Sequence, residues 1–168
     1  REEGIEIIKS LYRPDSGSHK GQNGKVMVVG GSHLFHAASL WALEVASRIV
    51  DMVFYSSVPE NNELVKAEFK NGIVVPREKI DDYINEADCV LIGPGLERTE
   101  ETKELTESLF KKYPDKRWVV DAGSLQMTDV NLIPKNAIIT PHNQEFQRLF
   151  GVIGNEETAF DAAKKYNL

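Results

Sequence analysis

Short runs of apolar residues alternate along this chain with longer stretches of helical periodicity, and this alternation restricts the fold more than any other feature. Apolar runs with the length of buried strands lie at residues 26–29, 52–55, 90–92, 118–120 and 137–139. Stretches with helical spacing separate them, notably at residues 38–50, 79–87 and 99–113. Strands that are apolar on both sides need cover on both faces, so the pattern predicts the α/β class, with a mainly parallel sheet between helices.

Two segments fit the alternation less regularly. Residues 60–76 predict a short helix at 64–69 and a small strand at 73–75. Residues 155–167 predict a final helix, whose less polar side carries Thr158, Ala159, Ala162 and Ala163. In an α/β domain such a helix leads into a further strand, and none follows it here. We therefore expect residues 1–168 to form one α/β domain, without an internal boundary, that is incomplete at its C-terminus.

Composition restricts the class of protein and its partners. A chain of 168 residues with 41% hydrophobic and 27% charged residues suits a single globular domain. A net charge of −6 without a run of Lys or Arg argues against nucleic acid and membrane surfaces as partners. Cys89 is the only cysteine, which excludes an intramolecular disulfide and predicts a small packed side chain. Without a long apolar stretch or a signal-like N-terminus, the prediction is a cytoplasmic protein.

Turn-forming and polar residues follow most of the predicted strands. Because ligands of open α/β sheets bind beyond the carboxyl ends of the strands, these loops predict a site at one edge of the sheet. The loops are Gly30-Gly31-Ser32, Gly93-Pro94-Gly95, Asp121-Ala122-Gly123-Ser124 and Thr140-Pro141-His142.

Each loop also has a plain structural interpretation. Gly30-Gly31-Ser32 offers backbone N–H groups to an anion, but a tight turn explains it equally well. The loop matches neither G-x-G-x-x-G nor the P-loop pattern. Asp121 is more often an N-cap than a metal ligand, a base or a ribose partner at such a position. The loop after residue 139 is the most unusual one, and a cap at Asn143 leaves His142 unexplained.

Four further side chains are interpreted structurally. His33 and His36 have the i, i+3 spacing of helical metal ligands, but without an acidic or thiolate companion we interpret them as solvated loop residues, and we predict no metal site in the chain. Trp41 and Trp118 fall in a predicted helix and a predicted strand, where core packing is the expected role.

Together the motifs resemble the NAD(P)H-hydrate dehydratase family of the ribokinase-like superfamily. The resemblance covers about residues 18–151. Its motifs are His19-Lys20-Gly21, Gly24-Lys25-Val26, Val29-Gly30-Gly31-Ser32, Gly93-Pro94-Gly95-Leu96, Asp121-Ala122 and Thr140-Pro141-His142 with Glu145-Phe146 and Arg148-Leu149. Ala37, Gly123-Ser124 and Asn143-Gln144 depart from the family pattern and leave the choice between ADP and ATP open.

The resemblance implies a three-layer ribokinase-like domain of a hydro-lyase that converts hydrated NADH or NADPH back to NAD(P)H, with Mg²⁺ and with ADP or ATP as phosphoryl donor. It implies a substrate side made of Ala38, Gly93, Gly95, His142, Asn143 and Glu145, supported by Gly30, Gly31, Ser32 and Asp121. It also implies a homo-oligomer and an NAD(P)H-hydrate epimerase, fused or separate. The family's catalytic Asp lies in a Gly-Thr-Gly-Asp segment that this sequence does not contain. We therefore assign no catalytic residue and expect this chain by itself to be inactive.

Two other functions stay open at this point. One is a different small-molecule kinase of the same superfamily, such as a hydroxyethylthiazole-type kinase. The other is a non-catalytic half-domain that binds a dinucleotide without turning it over. An NAD-dependent dehydrogenase is least supported, because its glycine fingerprint is missing.

Overall fold

One parallel sheet organises the molecule, and the computed structural model describes residue 6 and residues 9–168 of it. The strands have the order β3-β2-β1-β4-β5-β6, and all neighbouring pairs run parallel. The strands are β1 Lys25–Val29, β2 Met52–Ser56, β3 Ile73–Val74, β4 Cys89–Ile92, β5 Arg117–Val120 and β6 Ile138–Ile139. The helices are α1 Ala37–Ala46, α2 Pro59–Glu68, α3 Ile80–Glu86, α4 Glu100–Lys112, α5 Ala122–Met127, α6 Asn143–Phe150 and α7 Glu156–Tyr166. The predicted α/β class is confirmed.

Alternate residues of the central strand feed two separate cores. Met27 and Val29 point into a core on one face, and Val28 points into a core on the other, all three with no exposed surface. Each such buried side chain stabilises the fold by about 1.5–3 kcal/mol relative to exposure. Leu43 of α1 joins the core of Val28, whereas Ile84 of α3 joins the opposite core. The sheet is therefore the middle of three layers.

The strand order creates a crevice between β1 and β4. From β1 the chain winds outward through β2 to β3, and from β4 it winds the opposite way to β6. The chain connections that follow β1 and β4 consequently run in opposite directions along the sheet, and ligands of doubly wound sheets bind at the carboxyl edge at such a point. The order of strands thus selects one point of the predicted edge as the candidate site.

The motif that precedes β1 lies at the opposite, amino edge of the sheet. Asp51 Oδ2 accepts hydrogen bonds from the backbone N–H of Gly21 at 2.9 Å and of Asn23 at 3.0 Å, and from Asn23 Nδ2 at 3.0 Å. These bonds, first among them that from the Asn23 backbone, lower the pKa of the Asp51 carboxyl below its ordinary value. Gly21 of the lead-in motif therefore has a structural role here.

Three predictions about single side chains have different outcomes. Trp118 is 1% exposed, as predicted, but the prediction of a core position for Trp41 is wrong, since 66% of that residue is exposed. Cys89 is half-buried, and burial raises the pKa of its thiol, as expected of a packed, unreactive cysteine.

No helix in the described part of the chain is long and apolar enough to cross a membrane.

Candidate functional site

Two adjoining cavities open at the carboxyl edge of the sheet. The first, here called the α1 cavity, has a volume of about 730 Å³, and the second, the α2 cavity, about 600 Å³. Leu96, Glu97 and Thr99 line both. The α1 cavity is further lined by Leu34, Phe35, His36, Ala37, Ala38, Trp41, Gly95, Arg98, Ala122, Gly123 and Gln126. The α2 cavity is further lined by Gly31, Ser32, His33, Ser57, Val58, Pro59, Arg77, Glu101, Thr102, Glu104, Leu105 and Ser108.

Glycines allow the strand-end loops to interlock behind these cavities. Gly31 N–H donates to the carbonyl oxygen of Pro94 at 2.8 Å, which joins the β1 loop to the β4 loop. Gly93 has φ +120°, and a Cβ there would lie 2.8 Å from the carbonyl carbon of Asp121 and closer still to its oxygen. A Cβ on Gly30 would lie 2.9 Å from Ser39 Cβ. These two positions therefore require glycine for close approach of the backbones.

Ser32 shapes the β1 loop from within. Its Oγ accepts a hydrogen bond from Phe35 N–H at 3.0 Å, and its carbonyl oxygen accepts one from Asn61 Nδ2 at 2.9 Å. Both Ser32 and Asn61 are buried. These bonds hold the loop so that Phe35 lines the α1 cavity and so that α1 begins with Ala37 and an exposed Ala38 beside it.

Asp121 occupies the N-cap position of α5, as predicted, but its side chain makes no capping bond. Its Oδ1 instead accepts a hydrogen bond from the Thr140 hydroxyl at 2.7 Å, joining the β5 loop to the β6 loop. The next residue, Ala122, has φ +42°, a left-handed conformation that costs a non-glycine residue about 1–3 kcal/mol. Ala122 lines the α1 cavity, so the strained peptide belongs to the candidate site.

His142 caps α6, so the predicted cap at Asn143 is wrong by one residue. His142 Nδ1 accepts hydrogen bonds from the N–H groups of Gln144 at 3.2 Å and Glu145 at 3.4 Å. Glu145 Oε2 accepts one from His142 N–H at 2.9 Å, which completes a capping box. An imidazole can replace the usual hydroxyl or carboxylate because Nδ1 is an acceptor in the neutral ring.

Gln126 connects this capping box to the α1 cavity. Its Nε2 donates to Glu145 Oε1, and its Oε1 accepts from Arg98 Nε. Glu145 is buried, with Oε1 3.3 Å from His142 Nε2. Gln126 and Arg98 both line the α1 cavity. A polar chain therefore runs from the β6 loop to the cavity wall.

The predicted site residues fall into three groups. Ala38 and Gly95 line the α1 cavity, and Gly31 and Ser32 line the α2 cavity. Gly30, Gly93 and Asp121 hold the loops together behind these walls. His142, Asn143 and Glu145 lie outside the two linings, and Glu145 is joined to the α1 cavity through Gln126.

The structure also adds cavity residues that the sequence interpretation did not select. Trp41, Phe35, Ala122, Arg98 and Gln126 line the α1 cavity. Trp41 carried a usable signal, since a helical projection from the buried Leu43 places it on another face of α1. Gln126 carried none, because only the packing of α5 against α6 brings it to Glu145.

Metal ligands are not grouped in the described part of the chain, where no three His, Cys, Asp or Glu side chains lie close enough to hold an ion. His33 and His36 are exposed, and His33 Nδ1 lies 3.4 Å from Glu60 Oε2.

Comparisons with known proteins agree on one family. The family model described as NAD(P)H-hydrate dehydratase matches residues 26–167. The chain is 35% identical over 150 residues to a bifunctional NAD(P)H-hydrate repair enzyme, Nnr, of Methanocaldococcus jannaschii, a match that covers 83% of this chain and 30% of that protein.

Solved structures show the same fold. A ribokinase-like superfamily protein of Enterococcus faecalis has a TM-score of 0.81 at 19% identity, over 92% of this chain and 58% of that one. The ADP/ATP-dependent NAD(P)H-hydrate dehydratase of Bacillus subtilis, co-crystallised with ATP and Mg²⁺, has a TM-score of 0.70 at 23% identity, over 96% and 60%. The predicted ribokinase-like fold is confirmed. The chain spans less than two thirds of the length of each of these three proteins.

Proposed function

Because this chain belongs to the NAD(P)H-hydrate dehydratase family, we propose that its protein converts hydrated NADH or NADPH back to NAD(P)H. In the proposed reaction a phosphoryl group passes from ADP or ATP to the hydroxyl that hydration added to the nicotinamide ring. The C–O bond then breaks with loss of phosphate and a ring proton, which restores the double bond. Phosphate leaves far more readily than hydroxide, and the ring nitrogen donates electrons toward the departing group.

The observation that supports this proposal best is the α1 cavity at the point where the strand order reverses. Its volume of about 730 Å³ lies within the range of roughly 300–1,000 Å³ typical of small-molecule sites. Ala38 and Gly95 contribute small residues to the lining, while Trp41 and Phe35 contribute aromatic ones, which suit contact with a planar ring. We propose that this chain binds the nicotinamide half of the hydrate here.

The polar chain behind the cavity gives His142, Asn143 and Glu145 a place in the proposal. Glu145 accepts from Gln126 and caps the loop through His142, so we propose that it orients the Gln126 amide toward the substrate. Asn143 is the first residue of α6, directly after His142. Gly30, Gly31, Ser32, Gly93 and Asp121 keep the loops at their close spacing.

The phosphoryl donor and Mg²⁺ belong to the proposal for the whole protein. The described residues hold no cluster of three metal-ligating side chains, so they do not fit a resident Mg²⁺, and no step here passes through it. The sequence also lacks a Gly-Thr-Gly-Asp segment, so we propose that this chain alone binds substrate without turning it over. We further propose a cytoplasmic homo-oligomer that works with an NAD(P)H-hydrate epimerase, fused or separate.

A binding titration tests the substrate side directly. The chain contains two tryptophans, and only Trp41 lines the cavity, while Trp118 is buried in the opposite core. Binding of hydrated NADPH should therefore quench the fluorescence of Trp41 and leave that of Trp118 nearly unchanged. Equal quenching of both, or none, would contradict the proposed site.

A turnover assay tests the reaction and separates the remaining alternatives. Hydrated NADH, Mg²⁺ and either ADP or ATP are incubated with this chain and with the longest product of its gene, and the absorbance of reduced nicotinamide is followed. Recovery of NADH by the longer product alone would support the proposal. Binding without recovery by either would favour the dinucleotide-binding half-domain. Transfer of phosphate to a thiazole alcohol instead would favour the hydroxyethylthiazole-type kinase.

A further inference from the structure

Arg77 is a cation in the wall of the α2 cavity, and the proposed reaction does not use it. It begins the short 3₁₀ helix Arg77–Lys79 after β3 and lines the cavity together with Ser32 and Ser57. Its Nη1 atom is buried and has no hydrogen-bond partner. None of the ion pairs in the described part of the chain includes Arg77. The guanidinium is therefore a largely buried charge without an ion-pair partner among the described residues.

Burial of this charge is unfavourable for the chain by itself. Burial lowers the pKa of the Arg77 guanidinium below its ordinary value, while Tyr55 and Glu101 raise it by smaller amounts. A guanidinium nevertheless stays protonated in proteins, so the positive charge persists in the cavity wall. A bound anion would supply the missing counter-ion and turn this unfavourable burial into binding affinity.

Two buried hydroxyl groups at the same cavity also have a proton to donate. Ser32 Oγ accepts hydrogen bonds from the N–H groups of Leu34 at 3.3 Å and Phe35 at 3.0 Å, and it donates to none of the described residues. Ser57 Oγ accepts from Asn61 Nδ2 at 3.1 Å and likewise donates to none of them. Asn61 Nδ2 also donates to the Ser32 carbonyl oxygen at 2.9 Å, so the two serines lie close together. Both O–H groups are therefore available to a ligand oxygen.

The acidic side chains of the cavity are more exposed than these donors. Glu101 and Glu104 are exposed and Glu97 is half-buried, whereas both serines are buried. Salt and water screen exposed carboxylates far more than they screen a buried cation. Guanidinium and hydroxyl donors suit the oxygens of a phosphate, and carboxylates accept hydrogen bonds from the hydroxyl groups of a ribose. Donors inside and carboxylates outside therefore fit a phosphate that is joined to a ribose.

We propose that the α2 cavity is a subsite for the phosphate of a nucleotide, in which Arg77 pairs with the phosphate and Ser32 and Ser57 donate to its oxygens. The cavity volume of about 600 Å³ lies within the range of roughly 300–1,000 Å³ typical of small-molecule sites. Two sources supply this chemistry: the dinucleotide whose ring occupies the adjoining α1 cavity, or a second nucleotide. Only the first source rests on the proposed function.

Isothermal titration calorimetry tests the subsite with adenosine 2′-monophosphate, adenosine 5′-monophosphate and adenosine. The better-bound monophosphate should bind about tenfold or more tightly than adenosine. Arg77→Met keeps a long apolar side chain without the charge and should weaken that monophosphate by about 10- to 100-fold. Arg77→Lys should weaken it less, because the charge remains and only the paired donors are lost. Arg117→Met is the matched control, since Arg117 is exposed at the start of β5, at the opposite edge of the sheet, and its affinity should not change.

Thermal unfolding separates a binding role of Arg77 from a structural one. Because the guanidinium lacks an ion-pair partner, Arg77→Met should leave the melting temperature of the ligand-free chain unchanged or raise it. The monophosphate should raise the melting temperature of the original chain and of Arg117→Met, but not that of Arg77→Met. A ligand-free Arg77→Met chain that melts well below the original, equal affinity of both for the monophosphate, or equal binding of adenosine and the monophosphates would each overturn the proposal.

Hydrated NADPH and hydrated NADH identify the source of the phosphate, with quenching of Trp41 as the measurement. If Arg77→Met weakens hydrated NADPH much more than hydrated NADH, the subsite takes the phosphate on the ribose that only NADPH carries. Equal weakening of both identifies the diphosphate, and no weakening of either identifies a second nucleotide. If the monophosphates bind through Arg77 while neither hydrated dinucleotide binds, the proposed function fails and the subsite stands.

Discussion

Gly93 should be among the least replaceable residues of the candidate site, because the structure opposes any side chain there in two ways. With φ +120° its backbone is in a region that L residues rarely adopt. A Cβ would also lie 2.8 Å from the carbonyl carbon of Asp121, 3.2 Å from Ser124 Cβ, and closer still to the Asp121 oxygen. The obstacle is backbone, so it cannot rotate away. We therefore predict that Gly93→Ala is severely destabilising.

The size of the effect follows from the two contributions. An unfavourable backbone conformation costs about 1–3 kcal/mol, and forcing a methyl group into a packed region costs about 1–3 kcal/mol more. A loss of about 3 kcal/mol or more lowers the melting temperature of a domain of this size by roughly 6–12 °C. The Asp121 carbonyl accepts the first backbone bond of α5, from Leu125 N–H at 3.4 Å, so the Ala122 wall of the cavity should also move.

Gly151→Ala provides the matched control. Gly151 also has a positive φ, +73°, but a Cβ there would meet no atom within 4 Å. In that variant only the unfavourable backbone conformation should lower the free energy of unfolding, by about 1 kcal/mol. Urea unfolding of both variants, followed by circular dichroism, measures the difference. If the unfolding free energies of Gly93→Ala and Gly151→Ala differ by less than about 1 kcal/mol, contact between the loops does not explain why residue 93 must be glycine. A Gly93→Ala chain that cannot fold supports that explanation.

Three further predictions test other parts of the structure. Asp51→Asn should destabilise the fold at neutral pH, as measured by urea unfolding from pH 7 to pH 3. Because folding lowers the pKa of the Asp51 carboxyl, the difference in unfolding free energy between the variant and the original chain should persist above the ordinary pKa of 3.8. That difference should disappear as the pH falls through the lower pKa of the folded state. Glu145→Ala should lower the free energy of unfolding by about 2 kcal/mol, because Gln126 Nε2 and the His142 N–H both lose their acceptor. Glu145→Gln should lower it less, by the same unfolding measurement. Trp41→Phe should abolish most of the fluorescence change on binding hydrated NADPH, and Trp118→Phe should preserve it; the reverse result would place the ligand elsewhere.

Much of the layout was predictable because it depends on local patterns. The apolar runs that predicted strands all became strands of the sheet, and the strand at residues 73–75 formed at Ile73–Val74. The second helix begins earlier than predicted, at Pro59, because a proline is favourable in a first helical turn and its polar first turns carry little apolar signal. Chain order alone could not give the strand order β3-β2-β1-β4-β5-β6, which depends on where each crossover packs.

The errors at single residues share one cause. Trp41 was assigned to the core because of its chemistry, yet its helix turns Leu43 inward and leaves the indole at the cavity wall. Asn143 was assigned as the cap because it is a common capping residue, yet the imidazole of His142 occupies that role. In both cases the residue type gave a general preference, and the orientation of its backbone decided the outcome.

The sequence by itself determined the α/β class, the edge of the sheet that carries the candidate site, and the family resemblance, because hydrophobic period and glycine motifs are local properties of the chain. Only the tertiary structure decided which of those loops meet. It placed Ala38, Gly95 and Trp41 around one cavity and joined Glu145 to that cavity through Gln126. Contacts between residues distant in sequence depend on strand order and packing, which no single segment encodes.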